Sequence, residues 1–240
     1  AAAVFDATAA YATLAVMGPK SRALLERVSP EDWSDNAQKY TFGRRVEIAD
    51  GYAYALRVSF VGELGYELYV SSDLALNVFE ALIEAGKDLG LRLAGYFALD
   101  TLRSEKGFRH LGHDIGQTDD PVSAALRFTV DLDKPGGFVG RDAVAALDPK
   151  NPKHRTIYFT IDDPGPVLVH DETIFVAGNP VGRATSGAYG YTLGRAVGIA
   201  AISSDADLGG DFSIECKGER YPITVSRRPF YDPTGARMKV

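Results

Sequence analysis

From Tyr11 to Val16 small and apolar side chains alternate, which predicts a strand, and Gly18-Pro19 then supplies a turn with proline pre-set for a helix start. The helix is predicted over Ser21 to Val28, where Leu24, Leu25 and Val28 recur at helical spacing. Arg44 to Ala49 and Gly51 to Phe60 read as strands joined at Asp50-Gly51, a dipeptide suited to a two-residue hairpin. Gly65 to Val70 (GYELYV) alternates again, and Ser71-Ser72-Asp73 offers N-cap chemistry to a helix striped by Leu76, Phe79, Leu82 and Ile83, with Gly90 as its stop. A further helix is predicted from about Gly95 to Phe108, where Phe97, Ala98, Thr101, Leu102 and Glu105 precede Gly107.

Beyond it lies a polar loop with His110, His113 and several aspartates, then a turn at Lys134-Pro135-Gly136-Gly137 and a short helix from Asp142 to Leu147. The stretch Asp148 to His154 (DPKNPKH) reads as a linker, because two prolines and mixed charge separate differently patterned regions. The remainder of the chain is strand-like: Thr156 to Ile161, Thr173 to Val176, Val181 to Ser186, Ala196 to Ile202, Asp211 to Cys216 and Tyr221 to Ser226. The expectation is an α+β region over 1–147 followed by a small all-β barrel or sandwich over 155–240.

Composition narrows the class. The 240 residues are 45% hydrophobic and 24% charged, which excludes a disordered chain and supplies a sizeable core. The lone Cys216 closes no internal disulfide and builds no structural zinc site, which points to a reducing compartment. No apolar run reaches the roughly 20 residues of a membrane span, and the opening segment lacks the marks of a signal peptide. The net charge of −6 argues against broad nucleic-acid binding. Strand-like sequence begins almost at once after Ala1, so a preceding segment is expected.

The run Gly62-Glu63-Leu64-Gly65-Tyr66-Glu67 stands out because two carboxylates bracket a glycine-permitted backbone path at a strand entrance. A carboxylate there can accept paired N–H donors from a flat heterocycle; the plainer reading is a hairpin with solvated glutamates. His110, Gly112, His113 and Asp114, with Asp119 and Asp120 behind them, lack a helical pair of ligands and read as a hydrogen-bonded turn, so no metal site is expected. Cys216 reads as a core or edge residue, and Gly178 to Tyr189 as a hairpin without the features of a phosphate loop. Arg227 and Arg228 end the last strand either in solvent or as a clamp for an anionic tail.

Taken in order, Val16-Met17-Gly18-Pro19-Lys20, Val61 to Glu67, Leu102-Arg103-Ser104-Glu105-Lys106-Gly107, Asp114 with Pro121-Val122, Phe138-Val139-Gly140-Arg141, Gly182 to Gly187 and Pro229-Phe230-Tyr231 resemble the aminomethyltransferase family, the glycine-cleavage T-protein and its relatives. The stretch from Leu102 to Arg109 and the subsequent Gly112-His113-Asp114 most resemble the folate-binding C-terminal region of dimethylglycine and sarcosine dehydrogenases. The resemblance implies a ferredoxin-like, folate-binding α+β domain, of which the N-terminal part is missing, followed by the family's C-terminal barrel. It implies tetrahydrofolate as cofactor and one-carbon transfer as activity, with a methylated amine as the carbon source. An FAD-dependent oxidoreductase domain is implied upstream in the same polypeptide, in the cytoplasm or, in a eukaryote, the mitochondrial matrix.

By the same resemblance Glu67 grips the pterin ring, and Phe60 takes a position usually held by tyrosine, so stacking remains where a hydroxyl contact is lost. Tyr69 shares the strand face of Glu67 and is a further candidate for the pocket wall. The glycine-cleavage enzymes carry an arginine where this chain has Leu99, which favours the dehydrogenase branch. A branch that maintains iron–sulfur proteins is disfavoured, because Gly136 to Arg141 holds no cysteine. The family's catalytic aspartate is expected upstream of Ala1. Two other readings remain open: a docking module that keeps the fold without the chemistry, and a demethylase of a sulfonium compound.

Overall fold

The computed structural model describes residues 2–163 and 165–240. The chain divides into two compact units, Ala1–Leu99 with Thr234–Val240, and Asp100–Pro233. The division falls inside a helix.

The first unit holds β1 (Tyr11–Met17), α1 (Ser21–Val28), β2 (Gly43–Ile48), β3 (Gly51–Leu56), β4 (Gly65–Ser71) and α2 (Ala75–Ala85). The strands form one antiparallel sheet in the order β1-β4-β3-β2. Period-two alternation sends Val46, Ile48, Ala53, Ala55, Tyr66, Leu68 and Val70 to one face, where Leu24 and Leu25 of α1 and Val78 and Leu82 of α2 complete a single core. Trp33 anchors that core edge-on to Tyr66 at 5.2 Å between ring centroids, and the Tyr66 hydroxyl donates to the Trp33 carbonyl at 3.2 Å.

Two local expectations shift. The hairpin between β2 and β3 turns on Ala49 and Asp50, both at positive φ (47° and 62°), while Gly51 pairs with Ile48. A two-residue turn of this kind needs left-handed backbone at both positions, and Gly51 is needed elsewhere: a Cβ on it would come within 2.7 Å of Leu74 Cδ1. In α2, Val78 and Leu82 face inward while Leu76 is exposed and Phe79 and Ile83 only half-buried, and no side chain caps the N-terminus. The helix carries more apolar residues than one face can bury, and packing against the sheet selects among them.

In the helix α3 (Tyr96–Lys106) the usual polarity of a helix in a folded protein is inverted. Phe97 is 90% exposed, whereas Arg103, Ser104, Glu105 and Lys106 are buried.

The second unit contains a short α4 (Arg141–Ala145) and seven strands: β5 (Arg155–Ile161), β6 (Thr173–Val176), β7 (Asn179–Gly190), β8 (Arg195–Ile202), β9 (Phe212–Cys216), β10 (Glu219–Pro222) and β11 (Thr224–Ser226). Their antiparallel order is β10-β9-β6-β7-β8-β5-β11. The single strand expected over Tyr221 to Ser226 is broken at Ile223, and the break has a topological effect. Pro222 pairs with Ser213 of β9 while Thr224 pairs with Thr160 of β5, so the two ends of the strand order meet across one residue. The sheet is therefore a closed barrel. Its interior is filled from every side by Ile157, Phe159, Ile161, Ile174, Ile202, Phe212 and Ile214.

Candidate functional site

The alternation that buries Tyr66, Leu68 and Val70 turns Glu67 and Tyr69 to the opposite, uncovered face of β4. On that face Glu67 lies between Ala15 of β1 and Leu56 of β3, and Tyr69 between Thr13 and Tyr54. The Tyr69 hydroxyl donates to Glu67 Oε2 at 2.6 Å. This bond is the main reason that Tyr69 is held above the ordinary tyrosine pKa, with burial and the negative charge of Glu67 adding to it. Oε1 of Glu67 has no hydrogen-bond partner among the described residues.

The rest of the face is aromatic and small. Tyr11, Tyr52 and Tyr54 are exposed on it, and Arg45 covers the Tyr52 ring at 4.3 Å. Tyr54 leans across the strand gap so that a Cβ on Gly43 would come within 2.6 Å of its ring, a space only glycine leaves open. Concave surfaces of about 560 Å³ on α2 and about 540 Å³ around Gly136–Ala143 contain neither Glu67 nor Tyr69. We place the candidate site on the sheet face, because there an accessible carboxylate and aromatic rings converge.

The loop into β4 is fastened from behind. Arg57 is fully buried, pairing with Asp35 and donating to the carbonyls of Gln38 (2.7 Å) and Val240 (2.8 Å). Ser59 Oγ accepts from the Gly62 N–H at 3.1 Å, and Gly62 takes a φ of 81° that favours glycine. Phe60 is half-buried in this loop and outside the strand. Glu63 pairs with Arg237 at 3.4 Å. The two carboxylates of the glycine-flanked run are thus engaged differently: Glu63 faces a cation, whereas Glu67 faces a hydroxyl and keeps one oxygen open.

The remaining polar candidates turn inward. Asp114 accepts from Arg103 Nη1 at 2.5 Å, Thr185 Oγ1 at 2.6 Å and the His110 N–H at 2.9 Å. Arg103 also donates to Asp100 at 2.6 Å and Ser186 Oγ at 2.8 Å. Glu105 Oε1 accepts the N–H groups of Thr192 (2.8 Å) and Leu193 (3.0 Å), and Lys106 meets Asp232 at 2.9 Å. The segments Leu102–Gly107, Gly112–Asp114 and Gly182–Gly187, far apart in sequence, are knitted through these charges. The His110 and His113 rings stack at 4.6 Å, and no group of three or more potential ligands able to hold a metal occurs among the described residues. Cys216 lies in the barrel core, where burial, followed by the charge of Glu172, raises its pKa. Gly178 forms the tight β6–β7 turn with Ala177, and Arg227 and Arg228 are exposed.

Sequence reasoning named Glu67, Phe60 and Tyr69 as candidates and passed over Thr13, Arg45, Tyr52 and Tyr54, which share the face of Glu67 and Tyr69 or lie against it. Their alternation was visible strand by strand; their convergence needed the cross-strand register.

Residues 1–134 match the GCVT N-terminal domain, and residues 154–232 match the glycine cleavage T-protein C-terminal barrel domain. The chain belongs to the glycine-cleavage T-protein family. Among curated relatives, a 4-methylaminobutanoate oxidase (formaldehyde-forming) of Paenarthrobacter nicotinovorans is 72% identical over 239 residues, covering 100% of this chain and 29% of that protein. The mitochondrial dimethylglycine dehydrogenase of Mus musculus is 32% identical over 234 residues, covering 95% of this chain and 27% of the other. The chain therefore spans less than a third of each of these relatives. The crystal structure of an aminomethyltransferase T from Bartonella henselae superposes with a TM-score of 0.78 over 93% of this chain and 60% of that one, at 24% identity, a likeness of fold. Membership accounts for the order of the two regions, α+β before barrel. No described helix is long and apolar enough to cross a membrane.

Proposed function

We propose that this T-protein-family chain is the tetrahydrofolate-dependent one-carbon-transfer part of an enzyme that oxidatively demethylates a secondary or tertiary amine. The observation that carries the reading is the Glu67 carboxylate, accessible on the sheet face, oriented by Tyr69 and left with an open acceptor oxygen. Tetrahydrofolate fits this acceptor, since the pterin edge presents N–H donors and the ring system is flat. When bound, it would supply a nucleophilic nitrogen that takes up a carbon released as an iminium or as formaldehyde.

In this reading Glu67 holds the pterin edge, and Phe60 and Tyr69 shield the ring from water. Positioning is their whole contribution: bringing the acceptor nitrogen and the electrophile together in a fixed geometry lowers the barrier without a proton moving on this chain. The general base, by family analogy an aspartate, is assigned upstream of Ala1. The domain limits in this proposal are 1–147 and 155–240. An FAD-dependent oxidase part in the same polypeptide would generate the electrophile, which the fractional coverage of the relatives supports. The family resemblance and the absence of a cysteine pair favour a cytoplasmic or mitochondrial-matrix setting. The amine is one whose N-methyl group is lost, as the names of the relatives suggest.

Calorimetric titration of tetrahydrofolate into the whole natural polypeptide tests this. Binding that falls roughly ten- to hundredfold in Glu67→Gln is expected, the effect of weakening a charged hydrogen-bond acceptor. Absence of binding, or equal affinity in the variant, would overturn the assignment, and unchanged turnover would favour an assembly role.

A further inference from the structure

We infer that Tyr69 is a positioning residue, which acts on the ligand through Glu67 by fixing the orientation of its carboxylate. The inference rests on the folate reading of the Glu67 site and goes beyond a wall contact. The strand neighbours of Glu67 are Ala15 and Leu56, and neither carries a side-chain hydrogen-bond donor. Tyr54, opposite Tyr69, leans the other way over Gly43. Among the described residues only the Tyr69 hydroxyl bonds the carboxylate, at 2.6 Å to Oε2. Oε1 is left for an incoming donor.

The physical benefit is preorganisation. A glutamate on an open sheet face samples several rotamers, and a ligand that needs one of them must overcome that freedom on binding. A tyrosine has only two side-chain torsions, so it serves as a stiff strut from the same strand. The shared strand matters because residues two apart project from the same face whatever the rest of the sheet does. The same bond, ahead of burial and the charge of Glu67, raises the pKa of Tyr69 and so gives the contact a readout in solution.

The test is a double-mutant cycle of Tyr69→Phe and Glu67→Gln, read by calorimetric titration of tetrahydrofolate into the whole polypeptide. Thermal melting establishes that each variant folds. Tyr69→Phe in the native background should weaken binding about tenfold, the size of a lost hydrogen bond to a charged group. In the Glu67→Gln background the same change should alter affinity less than about twofold, because the two residues act as one unit. Independently of any ligand, the tyrosine absorbance component removed by Tyr69→Phe should titrate at higher pH in the native protein than in Glu67→Gln. Equal losses in both backgrounds would mean a direct wall contact and overturn the inference, as would no loss in either. If Glu67→Gln weakens binding but Tyr69→Phe does not, the positioning role alone falls. If the native polypeptide binds no tetrahydrofolate, the functional reading falls with it.

Discussion

In the four-stranded sheet one face is sealed by α1 and α2, and the other is left to tyrosines, Thr13 and Glu67. In the barrel the sheet seals its interior against itself, and the unit that contains it buries the charged side chains of Arg103, Glu105, Lys106 and Asp114. Arg103 is 2% exposed and meets two carboxylates and a hydroxyl, so little of its donor capacity is open to anything else. Glu67 has one hydrogen bond and one open oxygen. The contrast separates charges that hold a fold from charges that can hold a ligand, and burial alone does not draw that line: unused hydrogen-bonding capacity beside solvent does.

The largest effect is expected where pairing is most complete. Arg103→Ala leaves Asp114 buried without its cation, and urea denaturation should show a loss of about 3–5 kcal/mol. A loss below about 1 kcal/mol would mean that the network is not what joins its three segments. Glu67→Gln should do the opposite, changing unfolding free energy by no more than about 0.5 kcal/mol while tetrahydrofolate affinity falls. Global destabilisation by this change would erase the distinction between the two regions.

Smaller effects refine it. Ala49 stands at a φ of 47° in the β2–β3 turn, so Ala49→Gly should raise stability by roughly 0.5–1 kcal/mol, visible as a higher melting temperature. The least is expected at Asp120. Burial works against its charge, but the N–H and hydroxyl of Ser123 and the N–H of Val122 outweigh it and hold the carboxyl below the ordinary aspartate range. A lowered folded value means that its contribution is complete above the unfolded value of about 4 and fades as pH falls through the lowered one. Acid unfolding of Asp120→Asn should lack that component.

Much of the fold was legible locally. The bounds of α1 follow from Gly18-Pro19 and from Leu24, Leu25 and Val28, all within a few residues of one another. The sharing of a face by Glu67 and Tyr69 needs only the period of a strand. The misreadings all involve partners distant in sequence. Gly51 opens β3 opposite Ile48, beside Leu74, and the turn falls on Ala49 and Asp50; the interior of α3 is charged because Asp114, Ser186, Thr192 and Asp232 wait for it. Tyr221 to Ser226 looks like one strand until its two halves find opposite ends of the barrel.

By itself the sequence determined which segments are strands and helices, the α+β then β order, and the family, because these depend on short-range periodicity and on motifs in series. Only the tertiary structure decided which polar residues are consumed. As letters, Arg103, Asp114 and Glu67 are each a charged residue in a short motif. Cross-strand register and burial set how many hydrogen bonds each has already made, and the capacity left over decides which is available for chemistry.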